Sequence, residues 1–394
     1  MIPADTLHWG TVRNCIRELY EYGVRQKAKN GEDSVFDFSI GNPSIPTPKE
    51  ITEAIRAAAD EPTLHDYTVA PGRPGLRRKV SERLNALYGL HTAPEDVYIT
   101  CGASAAVSSS LKGLVCPGEE VIGLAPHYPE YPVFTRSAKG IFKSVSLRHD
   151  DLQLDGAALR AALTEKTAAL IVNSPNNPSG AVLTEKSLTE LADILREAQE
   201  KYGHPIYLIS DEPYRELVYD GITVPGPACY YENTVICYSF SKSLSLPGER
   251  IGYYAVSDRM AERDSVFASV AGAARAYGYV NAPSLMQLVL ERVPELPADI
   301  EAYRKNRALL CALLDRVGFS YVKPDGAFYL FMRSPIPDAK RFSEIAKRYN
   351  LLLVPSNDFG MEGYVRLAYC VPEERIIRSE EAFRALRADA DCSE

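Results

Sequence analysis

The chain has 394 residues, 46% hydrophobic and 24% charged, the composition of an ordinary soluble globular protein with room for two domains. A net charge of −8 argues against nucleic acid or an anionic membrane as a partner. The six histidines and eight cysteines are scattered without zinc-like or C-x-x-C spacing, which points to no metal and to reduced thiols in a cytoplasmic protein. Met1 to Gly10 has no basic region followed by an apolar run, so no signal peptide is expected, and no apolar segment is long enough to span a bilayer.

Val12, Ile16, Leu19 and Gly23 recur at helical spacing and predict a helix over about 6–29, stopped by Gly31. Val35 to Ile40 alternates like a strand and runs into Gly41-Asn42-Pro43. A glycine there either lets backbone approach a ligand or simply makes a turn. A short helix over about 49–59 follows, then the turn-rich segment His65 to Gly72 with Tyr67 in it, then helix signals from Leu76 to Tyr88.

From Val97 the pattern becomes strand, turn, helix. Val97 to Thr100 reads as a strand, Cys101-Gly102-Ala103-Ser104 as a small-residue turn, and Ala105 to Val115 as a helix. Such a turn exposes backbone N–H groups at the positive end of a helix and can bind phosphate, although tight packing needs the same residues. Val121 to Leu124 is the next strand, followed by Pro126-His127-Tyr128-Pro129-Glu130-Tyr131, whose aromatics can stack on a flat ring or fill a core. Ala168 to Val172 is an apolar strand ending in Asn173-Ser174-Pro175-Asn176-Asn177-Pro178-Ser179-Gly180, a run of turn formers. Leu188, Leu191, Leu195 and Ala198 mark an amphipathic helix. Ile206 to Ile209 delivers Asp211, Glu212 and Tyr214 to a strand's C-terminal end, the edge at which α/β sheets bind ligands.

Val235 to Cys237 reads as a buried strand feeding Tyr238-Ser239-Phe240-Ser241-Lys242, with Arg250 a little later. The two hydroxyls and the arginine can hold a phosphate, and the lysine amine can form a Schiff base with an aldehyde. Those are the demands of a phosphorylated aldehyde cofactor. Alone, S-F-S-K reads first as a surface lysine in a serine-rich turn.

Strands alternating with helices between Val97 and Val256 predict an α/β fold with a mostly parallel sheet and helices on both faces. After Asn281-Ala282-Pro283 the pattern changes. A helical stretch over about 284–316 leads into the apolar runs 319–322 and 326–331, a helix over about 342–349, strands at 351–355 and 364–368, and a last helix from Glu373. The expected division is an N-terminal arm over 1–48 that belongs with the small domain, a large domain over 49–283, and a small α+β domain over 284–394.

In chain order the motifs F-S-I-G-N-P, Y-T-V-A-P-G-R-P-G-L-R, T-C-G-A-S, P-H-Y-P-E-Y, N-N-P-S-G, S-D-E-P-Y, S-F-S-K, G-E-R-I-G-Y and Y-V-R-L-A-Y cover nearly the whole sequence. Together they resemble the fold type I, class I/II aminotransferases that use pyridoxal 5′-phosphate, the aspartate aminotransferase-like enzymes. The resemblance implies that Lys242 carries the cofactor as a Schiff base and later moves the substrate Cα proton. It implies that Asp211 pairs with the pyridine nitrogen, and that Tyr214 and Asn177 hydrogen-bond the ring 3′-oxygen. Tyr128 stacks on the ring, while the Gly102-Ala103-Ser104 turn, Ser239, Ser241 and Arg250 hold the phosphate. Family members are homodimers with shared sites, so Tyr67 reaches the phosphate of the partner's cofactor. Arg366 grips the substrate α-carboxylate with a planar two-pronged donor, and Gly41 and Asn177 line the same pocket.

The implied reaction is ping-pong transfer of an amino group from an L-amino acid, aspartate-like or related, to a 2-oxo acid. The same lysine, aspartate and arginine also serve a carbon–sulfur β-lyase, which stays open as an alternative. A ligand-sensing domain of a transcription regulator is a further rival, but the segment before Phe38 is too short for a DNA-binding module and the net charge is wrong for DNA. Arg275 lies near where some relatives place a partner-subunit arginine for a dicarboxylic substrate, but the spacing is not a clean match and it reads first as a simple interface arginine.

Overall fold

A computed structural model describes residues 2–12 and 14–391. Strand β1 (Phe36–Asp37) is short and stands apart from the main sheet. Seven strands build that sheet: β2 (Val97–Thr100), β3 (Glu120–Ala125), β4 (Ile141–Ser146), β5 (Thr167–Asn173), β6 (Tyr207–Asp211), β7 (Thr234–Ser239) and β8 (Gly252–Val256). Their order is β2-β8-β7-β6-β5-β3-β4. All neighbours run parallel except β8, which is antiparallel to both β2 and β7. The chain leaves β3 outward to β4 but leaves β5 inward to β6, so the strand order reverses between β3 and β5. Open α/β sheets bind ligands beside such a reversal, at the strands' C-terminal ends.

β5 and β7 are buried along their whole length, and a strand covered on both faces reads as a continuous apolar run. That is why their positions are legible in the sequence. β4 is an edge strand with Ile141 exposed and Lys143 paired to Glu120 at 2.7 Å. Its mixed sequence carries no strand signal, as expected of an edge that resists further pairing.

The helix Ala103–Leu114 crosses the sheet and packs on β6, β7 and β8 with its small residues buried. Its capping residue Gly102 has φ +87°, a left-handed conformation that glycine adopts without strain. The helix therefore begins two residues earlier than its apolar periodicity indicates. Ala103 and Ser104 sit in its first turn rather than in a preceding loop.

The second unit holds β9 (Tyr321–Val322), β10 (Tyr329–Arg333), β11 (Leu351–Leu352), β12 (Val354–Pro355) and β13 (Tyr364–Ala368). An antiparallel sheet runs β12-β13-β10-β9, and β1 pairs in parallel with β11. Phe38, Tyr303, Phe328, Phe342 and Phe383 share one hydrophobic cluster with Tyr214 and Leu217, so the second unit packs directly against the segment that follows β6.

The strand expected over 351–355 divides into β11 and β12, the last helix divides into Glu373–Arg378 and Glu380–Asp391, and three further elements differ for local reasons. The N-terminal helix is two helices, Ala4–Thr11 and Cys15–Asn30, because Val12 is extended and Asn14 caps a new start by accepting from Arg17 N at 3.0 Å. The stretch over 284–316 is also two helices, Ser284–Arg292 and Glu301–Val317, separated by a connection containing Pro294 and Pro297. The strand expected over 35–40 shrinks to β1, since Asp37 Oδ1 accepts from Ser39 N and Ser39 Oγ at 3.1 and 2.6 Å and bends the chain.

The helix Ala103–Leu114 lies against Arg263–Ala276 through Gly113. A Cβ added there would come within 2.9 Å of the Val270 backbone. Gly113→Ala gains about 1 kcal/mol of helix propensity but forces two backbones apart at about 1–3 kcal/mol. The expected result is a lower melting temperature; a higher melting temperature would contradict this packing account.

Candidate active site

β6 ends in Asp211, flanked across the ladder by Asn173 on β5 and Cys237 on β7. The Tyr131 hydroxyl donates to Asp211 Oδ2 at 2.6 Å, and Asn173 Nδ2 donates to the Asp211 carbonyl at 2.8 Å. Asp211 Oδ1 is buried without a hydrogen-bond partner. Burial pushes this carboxyl up to about 7; the Tyr131 hydrogen bond pulls it down and neighbouring Glu212 pushes it up.

β7 delivers Ser239, which caps the helix Phe240–Ser243 by accepting from Ser241 N at 3.1 Å. The Ser239 and Ser241 hydroxyls lie 2.7 Å apart. Lys242 follows within that helical turn, and its Nζ donates to the Gly41 carbonyl at 2.8 Å. Burial pulls the Lys242 ammonium down to about 8, the Arg250 and Arg366 cations act in the same direction, and the Cys370 thiol opposes them. Arg250 is held in a left-handed conformation at φ +52°. Its guanidinium bonds the Pro247 carbonyl at 2.9 Å and would sit 2.9 Å from a Cβ on Gly102. The N-terminus of the helix Ala103–Leu114, two hydroxyls and a guanidinium thus meet at one place, which is an anion cradle.

β13 contributes Arg366, which is 2% exposed. Its Nη1 donates to Asn177 Oδ1 at 3.1 Å, its Nη2 donates to the Ser39 carbonyl, and its Nε is buried without a partner. The guanidinium lies 4.7 Å from the Tyr329 ring centroid. Asn177 is itself fixed by a 2.7 Å bond from its backbone N–H to Asn173 Oδ1. The Tyr214 and Tyr329 hydroxyls are 3.1 Å apart. A Cβ on Gly41 would stand 1.9 Å from the Tyr329 hydroxyl, so only glycine lets the carbonyl that holds Lys242 come this close.

A network lies beneath these groups. Glu212 and Arg215 form a buried ion pair at 2.6 Å, and Tyr88 donates to Glu212 at 2.8 Å. The Arg215 guanidinium lies 4.7 Å from the Tyr238 ring, and the Tyr238 hydroxyl is 2.8 Å from Ser243 Oγ. The segment after Asp211 is thereby tied to the turn that carries Lys242.

One cavity of about 330 Å³ gathers Gly41, Ala103, Ser104, Tyr128, Asn177, Asp211, Tyr214, Ser239, Ser241, Lys242, Arg250 and Arg366. All were singled out in the sequence. Gly102 stands just behind, against Arg250. Tyr67 lies outside, 96% exposed, beside Arg73 and Arg292 in a separate surface recess. Arg275 is also outside, exposed in the last turn of the helix Arg263–Ala276. Tyr131, Asn173, Tyr329 and Ile16 line the cavity without having been picked out as site residues. Tyr131 and Asn173 fall inside the P-H-Y-P-E-Y and strand-end signals, whereas Tyr329 and Ile16 offer no local sign.

Residues 33–382 match the family model described as aminotransferase class I and II. The chain belongs to the class I and II aminotransferases. It is 33% identical over 353 residues to a protein named probable aspartate/prephenate aminotransferase from Thermus aquaticus, covering 88% of this chain and 89% of that one. A crystal structure of an aminotransferase from Eubacterium rectale superposes with TM-score 0.96 at 42% identity and 99% coverage of both chains. The aspartate aminotransferase of Thermus thermophilus with maleate superposes with TM-score 0.88 at 28% identity, covering 98% of this chain and 100% of that one. As an aminotransferase of this class the protein uses pyridoxal 5′-phosphate.

An amine with a pKa of about 8 is neutral in roughly one molecule in ten at pH 7, against about one in 2,500 for an ordinary lysine. The amine is protonated below that value and nucleophilic above it. The rate at which the apoprotein of this aminotransferase captures pyridoxal 5′-phosphate, followed by visible absorption, should therefore rise with pH and level off above about 8. A rate still climbing steeply past pH 9.5 would show an ordinary lysine.

Proposed function

We propose that this aminotransferase moves the amino group of an L-amino acid, aspartate or a related one, to a 2-oxo acid by a ping-pong mechanism, in a cytoplasmic homodimer with shared sites. One observation carries the reading. Lys242, Asp211 and Arg366 face one cavity, and two of them present buried polar atoms, Asp211 Oδ1 and Arg366 Nε, that no protein group satisfies.

The residues present suit the family's cofactor. An unpaired carboxylate oxygen suits a protonated pyridine nitrogen, the cradle around Arg250 suits a phosphate, and a buried amine of lowered pKa suits an aldehyde. When bound, the cofactor supplies a protonated ring that accepts the electron pair left on the substrate Cα.

Asp211 would keep the ring nitrogen protonated; Tyr131 fixes its carboxylate and Asn173 its main chain. Tyr128 would cover the ring, Ser104, Ser239, Ser241 and Arg250 would bind the phosphate, and Tyr214 with Asn177 would hydrogen-bond the ring oxygen; all of them line the cavity. Lys242 is the residue that would hold the cofactor through its amine, and that amine, when free, would be the base that takes the substrate Cα proton. A pKa near the working pH is what a general base needs. Arg366 fixes the substrate carboxylate in a plane set by Asn177 and Tyr329, which orients the Cα–H bond.

The homodimer reading is supported by Tyr67 and Val69, which stand exposed beside the exposed pair Tyr279 and Val280, with Asn281 Nδ2 donating to the Thr68 carbonyl at 2.8 Å. In a dimer this face brings Tyr67 to the partner's phosphate. The cytoplasmic reading is supported by the cysteines among the described residues, which are free thiols.

The test is a half-reaction. Holoenzyme mixed with one amino acid and no oxo acid should lose its yellow band and regain it on adding a 2-oxo acid. A persistent band with pyruvate and ammonia accumulating from a sulfur amino acid would establish the β-lyase instead. Arg366→Lys keeps the charge but loses the fork, and should lower the second-order rate constant of bleaching by about 10- to 100-fold, mainly through KM. An unchanged KM would mean that another group grips the carboxylate.

A further inference from the structure

Tyr329, on β10, is a buried phenol in the cavity wall. Its ring is fixed from three sides. It packs edge-on against Tyr214 with centroids 5.7 Å apart, edge-on against Phe328 at 5.0 Å, and lies 4.7 Å from the Arg366 guanidinium. Its hydroxyl is 3.1 Å from the Tyr214 hydroxyl. The Gly41 backbone closes the other side, since even a Cβ there would stand 1.9 Å from the Tyr329 oxygen. The same glycine holds Lys242 through its carbonyl at 2.8 Å.

Burial pushes both phenols above their ordinary value, Arg366 opposes it in both, and both keep their protons at neutral pH. One of these two protons lies along the line between the oxygens, and the other is free to go elsewhere. On the function proposed above, which this inference rests on, Tyr214 meets the cofactor's ring oxygen. That oxygen is anionic when the lysine–cofactor linkage is unprotonated, and an anion accepts more strongly than a neutral phenol. The Tyr214 proton then goes to the ring oxygen, and the Tyr214 oxygen is left to accept from Tyr329. A donor behind a donor polarises it and strengthens the bond in front.

We propose that Tyr329 is a positioning residue: its hydroxyl donates to Tyr214, commits the Tyr214 proton to the ring oxygen, and so helps the lysine–cofactor linkage to shed its own proton. The sign follows from the charge. A hydrogen bond to the ring oxygen favours the unprotonated linkage, so losing the Tyr329 hydroxyl raises the pH at which the linkage proton leaves. Were the Tyr214 proton aimed at Tyr329 instead, losing that hydroxyl would free Tyr214 for the ring oxygen and lower that pH. Among the described residues, the charged and titratable groups around the two phenols and Lys242 are Tyr128, Asp211, Arg250, Arg366 and Cys370. None of them is altered in the variants below.

The visible spectrum of the holoenzyme is titrated from about pH 5 to 10 for the wild type, Tyr329→Phe, Tyr214→Phe and the double variant. Phenylalanine keeps the ring at position 329 and its packing on Arg366 and Phe328. Tyr329→Phe should raise the midpoint by about 0.5 to 1 pH unit, the worth of one neutral hydrogen bond, and Tyr214→Phe should raise it further. The double variant should match Tyr214→Phe, because Tyr329 acts through that residue. A side chain that only packed would leave the midpoint where it is.

A midpoint unmoved or lowered by Tyr329→Phe, while Tyr214→Phe raises it, overturns the proposal and leaves the role of Tyr214 standing. A double variant that rises well beyond Tyr214→Phe also overturns it, because Tyr329 would then act through another group. If Tyr214→Phe itself leaves the midpoint unmoved, the role given to Tyr214 falls and the inference falls with it.

Discussion

A buried carboxylate at the end of β6 is the constraint that the rest of the site is built around. Asp211 is raised from 3.8 to about 7 by desolvation, which corresponds to a cost on the order of 4 kcal/mol for keeping it charged at neutral pH. The sign follows from the raised value. The ionised form is penalised in the folded protein, so the cost is absent well below pH 4 and fully present above pH 7. The raised value already includes the Tyr131 hydrogen bond to Oδ2; Asn173 holds only the Asp211 main chain, and Oδ1 remains unanswered. A protonated ring nitrogen beside that oxygen would offset the remainder. The fold thus carries an electrostatic deficit that the proposed pairing with the cofactor would fill, a common trade of stability for function.

Everything that faces Asp211 is held by long-range contacts rather than by the loops themselves. The parallel strands β5, β6 and β7 put Asn173, Asp211 and Ser239 side by side. The Glu212–Arg215 pair and the aromatic rings around it tie that edge to the turn carrying Lys242. Such a pair contributes little net stability because desolvating two charges consumes most of their attraction. Its value here is position: removing one partner would leave a bare buried charge directly under the reacting groups. Arg366 arrives from the other sheet and closes the cavity through Asn177 and the Ser39 carbonyl.

Much of the site was legible in the sequence because it lies at strand ends. A buried apolar run followed at once by an acid, a hydroxyl pair or a lysine places those groups at the functional edge of an α/β sheet, and S-D-E-P-Y and S-F-S-K both have that form. Tyr329 and Ile16 were not legible. Tyr329 reads as core, and its role depends on meeting Tyr214, Gly41 and Arg366 from distant parts of the chain. Ile16 reads as one apolar position of an amphipathic helix, and its place at the cavity depends on distant partners such as Glu130 and Asp358, which bond Asn14 and Cys15 beside it. The edge strand β4 and the break at Asn14 were missed for the opposite reason. Local propensity there is weak, and pairing with β3 or a single side-chain cap decides the outcome.

The central claim is that Lys242 is the residue through which the cofactor is held. Borohydride reduction of the holoenzyme fixes the lysine–cofactor link, and peptide mapping by mass spectrometry then names the modified residue. The account predicts a single pyridoxyl group on Lys242, and none when that residue is replaced by alanine. A pyridoxyl group on any other lysine would contradict it.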